Sequence, residues 1–156
     1  MILDDMLRRT EIIKAVTDIL KNKFSYKIYS DEIVEGFKPS CFFLKLIKRT
    51  DIQTINFNDN QLSIIITYFS SPEKNKEIEY MNMIDDLSQL FGIGFRAGNR
   101  YLHIKSFSDD RIGEKQDILQ LTIAIEYLDS TDKKTYEEMG YIPATTLQTN
   151  TKLRTD

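Results

Sequence analysis

Apolar positions along the chain follow two periods, and the alternation between them sets out the elements. From residue 2 to 22, Leu3, Met6, Leu7, Ile12, Ile13, Val16, Ile19 and Leu20 recur mostly three and four apart, with Arg8, Arg9, Glu11, Lys14, Asp18 and Lys21 between them. That spacing predicts an amphipathic helix with one apolar stripe. Asp4 and Asp5 near its start and Lys21 and Lys23 at its end suit the helix dipole. The period then drops to two. Tyr26 to Ser30 reads as a short strand and Cys41 to Arg49 as a longer one, with Phe42, Leu44 and Leu46 on one face and Phe43, Lys45 and Ile47 on the other. The polar connection between them holds Gly36 and Pro39, which predicts a long hairpin.

Asp51 to Asn60, rich in Asn and Asp, predicts a turn or loop. Leu62 to Phe69 is a β-branched strand ended by Ser70-Ser71-Pro72. A second helix is predicted from about Glu73 to Phe91, with Ile78, Met81, Met83, Ile84, Leu87, Leu90 and Phe91 as its apolar set. Met83 fits that stripe least well. Gly92 ends it. Tyr101 to Phe107 and Asp117 to Leu128 form a closing hairpin, and the second strand alternates cleanly: Leu119, Leu121, Ile123, Ile125 and Tyr127 against Gln120, Thr122, Ala124 and Glu126. The expected fold is α+β, two-layered, with a mainly antiparallel sheet and two helices on one face. Its order is α-β-β-β-α-β-β. Residues 1–128 form the domain, and 129–156, Thr-rich and poor in apolar residues, form a C-terminal arm that is mobile or ordered by partners.

Composition narrows the chemistry. The chain has 156 residues, 41% hydrophobic and 29% charged, a size for one domain. A net charge of -3 gives no global attraction to nucleic acid or to an acidic membrane. With one cysteine and one histidine, a disulfide framework and a Cys- or His-rich metal site are excluded. No secretory leader or membrane-spanning run is visible, which points to a cytoplasmic, reducing setting.

Local candidates for catalysis read better as structure. Gly92 to Gly98 has three glycines but lacks the Gly-Lys-Ser/Thr ending of a P-loop and follows a helix, so it reads as a helix cap and turn. His103 lies mid-strand without a local acid, and Cys41 opens an apolar strand as a buried small side chain. Asp85-Asp86 and Asp109-Asp110 are sequence neighbours that point apart, hence solvated surface. No catalytic, metal or cofactor residue is assigned. The connection after the first strand carries Asp31, Glu32 and Glu35, with Phe37 as an apolar anchor, an acidic surface suited to docking on another subunit. Arg96 and Arg100 present charge to a partner.

The run Ile28-Tyr29-Ser30-Asp31-Glu32-Ile33-Val34-Glu35-Gly36-Phe37, followed by Pro39-Ser40-Cys41-Phe42-Phe43-Leu44, resembles the phage tail terminator proteins of tailed phages, prophages and phage-tail-like particles of Gram-positive bacteria. With the order of elements, the resemblance spans roughly residues 5 to 128. It implies a non-enzymatic virion protein, assembled in the host cytoplasm and placed at the neck-proximal end of the tail. It further implies a ring of copies, generally six, that caps the tail tube, stops its polymerisation and meets a neck or connector protein and, in contractile tails, the last sheath ring. DNA at most passes through its lumen. A neck or head–tail connector protein is the alternative within the same setting. A small metal-dependent nuclease is the alternative outside it, opposed by the dispersal of the acids.

Overall fold

The structure, a computed structural model, describes residues 6–30, 38–54, 57–71 and 76–130. Two helices and six strands follow one another as α1 (Arg9–Lys23), β1 (Lys27–Tyr29), β2 (Cys41–Ile52), β3 (Phe57–Phe69), α2 (Lys76–Phe91), β4 (Gly94–Ala97), β5 (Arg100–Ile112) and β6 (Ile118–Ser130). The strands form one six-stranded sheet in the order β1-β2-β3-β6-β5-β4. The class is mixed α+β.

α1 begins at Arg9, later than the apolar pattern suggests, because Arg8 is extended and its N–H donates to the Glu11 carboxylate at 3.0 Å. That bond satisfies a donor that a longer helix would use internally. Ile12, Val16 and Leu20, spaced by four, are fully buried. In α2 the buried stripe is Tyr80, Met83, Leu87 and Phe91. Met83, the poorest fit in the sequence pattern, is buried, whereas Ile78 and Met81 are exposed. The apolar spacing alone places the stripe differently because Tyr80, with its polar hydroxyl, serves as a core residue. Its hydroxyl donates to the Asp117 carbonyl and its ring packs edge-on to Tyr68, so its polar tip is satisfied while its body fills the core.

The central ladders align every inward side chain. β2 and β3 pair antiparallel with Phe42 opposite Tyr68, Leu44 opposite Ile66 and Leu46 opposite Ile64; β3 and β6 pair antiparallel with Tyr68 opposite Leu119, Ile66 opposite Leu121, Ile64 opposite Ile123 and Leu62 opposite Ile125. These residues and the buried stripes of both helices make one core cluster. A single-residue slip in register would turn all of them outward, which is why the pairing is well specified.

Four sequence expectations are corrected. First, β1 pairs with β2 in parallel, Ile28 beside Phe42, so the two strands are not the arms of a hairpin. The direction of β1 is anchored by rings: Tyr26 lies 5.7 Å from both Phe42 and Tyr68, and Phe24 lies 5.2 Å from Phe42. Second, the Asn-rich segment from residue 51 is largely strand, with β2 running to Ile52 and β3 starting at Phe57, because its inward polar groups bond to one another. Third, Gly94–Ala97 is an additional strand. Gly92 (φ +59) ends α2 by donating to the Ser88 carbonyl, and Gly98 (φ +57) turns the chain straight back into β5. A Cβ at Gly98 would also lie 3.2 Å from the Glu11 carboxylate. Fourth, β5 continues through Ser108–Ile112, which the sequence placed in a connection, and turns only at Gly113 (φ +91).

Candidate assembly interface

At one end of the sheet the inward face changes from aliphatic to polar. Thr50 Oγ1 donates to Asn60 Oδ1 at 2.7 Å, and Asn60 Nδ2 donates to Asp129 Oδ1 at 2.8 Å. Asn60 is fully buried and Asp129 is 4% exposed. Tyr127 sits opposite Asn60 in the ladder, with two cations near its ring and a third acting on its charge. Lys48 Nζ is 5.8 Å and Arg100 Cζ 5.4 Å from its ring centroid, cation–π distances, and Arg9 acts on it electrostatically. Burial pushes the Tyr127 hydroxyl up to about 12, with the Asp129 charge adding and the Arg100 and Arg9 charges opposing. Burial holds the Lys48 ammonium below its ordinary range, Asp129 opposing and Arg9 adding. The Asn58 carbonyl oxygen, the Tyr127 hydroxyl and Asp129 Oδ2 are buried without a hydrogen-bond partner among the described residues. Buried polar atoms are normally satisfied, so these three atoms are exceptions gathered at one end of the sheet.

Arg100 belongs to that constellation; Arg96 does not. Arg96 projects from β4 into solvent, opposite in phase to buried Phe95 and Ala97. Asp31, Glu32, Glu35 and Phe37 lie outside the described residues. Sequence reasoning missed Lys48, Tyr127 and Asp129 because their association depends on register between strands far apart in sequence. The signal it did have was Asn58 and Asn60 inside an alternating pattern, which is the composition of a polar strand face as much as of a loop.

Two further surfaces lie on the outward face of the sheet. The outward face of the sheet carries an aromatic run at its β1 side, Tyr29 at 5.1 Å from Phe43 and Phe43 at 5.2 Å from Phe69, all half-buried. Farther along, Asp51 sits opposite Asp59, and Glu126 is close enough to add its charge. Desolvation first, then the Glu126 and Asp51 charges, raise the Asp59 carboxyl above its ordinary range. The far end is pinned to α2: Arg111 pairs with Glu77 at 3.0 Å and stacks 4.5 Å from the Tyr80 ring, and Lys76 pairs with Asp117 at 3.4 Å.

The residues weighed for catalysis have structural settings. Cys41 is fully buried and burial pushes its thiol up, the reverse of an activated nucleophile. His103 is exposed, edge-on to Tyr101 at 4.9 Å. Asp85, Asp86, Asp109 and Asp110 are exposed. Among the described residues no group of three His, Cys, Asp or Glu side chains is placed to hold a metal ion, and no helix is long and apolar enough to cross a membrane.

The described residues thus combine exposed apolar side chains and open strand edges with a buried polar cluster at one end of the core. The chain belongs to the phage tail terminator protein family, whose model matches residues 11–137. It is therefore a structural component of a phage tail, made to interact with other tail parts, in a family of structural proteins and not of enzymes. No curated protein matches the sequence. Among solved structures, one aligns with a TM-score of 0.47 at 12% identity, covering 81% of this chain and 95% of its own, a likeness too distant to argue from.

Proposed function

We propose that the protein caps the tail tube as a ring of identical copies, generally six, ending tube polymerisation at the neck-proximal end. Family membership over residues 11–137 is the observation that carries this reading. The physical mechanism is capping by mismatch. One face of the ring is complementary to the last tube ring and binds it; the other lacks the docking surface that recruits another tube subunit and instead meets the neck or connector protein, and the sheath in a contractile tail. A heterologous contact between neighbours closes into a ring when its rotation divides a full turn. The polar end around Asn60, Tyr127, Asp129 and Arg100 supports this reading as a subunit or tube contact, since a partner's donors and acceptors would complete its open hydrogen bonds. Arg96 and the acidic Asp31, Glu32 and Glu35 with Phe37 are proposed to join it in contacts between subunits or with the tube. Negative-stain imaging of the protein mixed with purified tail tubes tests the proposal. A ring at one end of each tube is expected, and decoration along the tube wall or no binding would refute it.

A further inference from the structure

The three residues of β1 cover only Cys41–Phe43 of β2, so among the described residues the outer edge of β2 from Leu44 to Ile52 has no strand beside it. Against its first part lies a groove of about 520 Å³, floored by Ile13, Leu44 and Leu46 and rimmed by Arg9, Lys14 and Lys45. An unpaired edge offers main-chain donors and acceptors to an added strand, an apolar floor takes alternate side chains, and charges on the rim select among segments. The rim is cationic on both sides of the edge. Arg9 and Lys14 stand on α1, while Lys45 points outward from the opposite face of the sheet.

We propose that this edge receives part of residues 131–156 from a second copy of the chain, laid beside β2 as an added strand. The inference rests on the ring reading and names one contact within it. Three observations support this occupant. The arm leaves from Ser130, which pairs with Phe57 next to the β2–β3 turn, and at about 3.3 Å per residue it reaches on the order of 80 Å, ample for a neighbour. To reach the edge of its own subunit the arm would have to round that turn and cross β3 and β2. Its sequence also fits: Tyr136-Glu137-Glu138-Met139 places two acids on opposite faces of an extended strand, one for Arg9 and Lys14 and one for Lys45. Each face of such a strand also carries an apolar pair beside its acid, Tyr136 and Ile142 with Glu138 and Met139 and Tyr141 with Glu137, so the face turned to the floor brings apolar side chains to it. In a closed ring every subunit would give one arm and receive one, leaving no open edge of this kind.

The test uses full-length chains. One variant carries Lys45→Cys, a second carries Glu137→Cys, and they are mixed under mild oxidation with and without tail tubes, then resolved on a non-reducing gel. The native Cys41 is buried and stays out of the exchange. A disulfide-linked heterodimer is expected in the mixture, roughly tenfold above either variant alone, and charge reversal at Arg9 and Lys14 to Glu should reduce it by a similar factor. The proposal is overturned by no heterodimer in either condition, or, in a third variant carrying both Lys45→Cys and Glu137→Cys, by a disulfide that forms only within one chain. Imaging the same samples separates the two readings. Rings without the heterodimer would remove the arm-on-edge contact and leave the cap standing; the heterodimer without rings would remove the cap and leave the contact.

Discussion

At the scale of single residues, the polar end of the sheet is where the physics is least forgiving. Asn60, itself fully buried, bridges exposed Thr50 and buried Asp129. Asn60→Ala would strand the buried Asp129 carboxylate, at a cost of about 1–3 kcal/mol in unfolding free energy, measurable by urea denaturation. Asp59 behaves in the opposite sense. Its carboxyl is raised in the folded state, so ionising it opposes folding at neutral pH. The penalty is fully present above the raised folded-state pKa and fades as pH falls toward the unfolded value. Asp59→Asn is therefore expected to raise the melting temperature at pH 7, with a difference that narrows below pH 4; an equal difference at both pH values would contradict this. Neither residue was legible as such in the sequence. Asn58, Asp59 and Asn60 read as a turn by composition, and only pairing with Thr50 and Asp129 explains their place in a strand.

Elements were easier to read than their partners. The aliphatic alternation in β6 and the β-branched run in β3 specified buried faces that the structure keeps. The stripe on α2 was harder, because a tyrosine serves there as a core residue. Met83→Ala should cost about 2–5 kcal/mol, as buried truncations do. Met81→Ala, at an exposed site (57%), should stay within about 0.5 kcal/mol. Equal effects would place the stripe wrongly. The β4–β5 turn was signalled by Gly98-Asn99 between two short strand-like runs, a hairpin signature that the glycine count around it obscured. The parallel β1–β2 pair had no such signal. Strand direction there depends on aromatic packing among Phe24, Tyr26, Phe42 and Tyr68, which neither periodicity nor turn chemistry encodes.

For the molecule as a whole, the sheet and helices form a support, and what they present matters more than what they enclose. The α+β class followed from periodicity, and the family from the residues around Tyr29-Ser30 and Cys41-Phe42-Phe43. The proposed interface did not follow, because surface contacts lack a period and the groups assigned to it are spread over α1, β2, β3, β5 and β6. Removing residues 131–156 leaves β6 complete, so a folded protein with cooperative unfolding and impaired assembly is expected; loss of folding would contradict the separation of core and arm. The central claim concerns length control. The most direct measurement is the distribution of tail lengths, by electron microscopy, in particles assembled without this protein. A cap that ends polymerisation predicts tubes of uncontrolled, extended length. Tails of normal length in its absence, whether or not heads are attached, would contradict it.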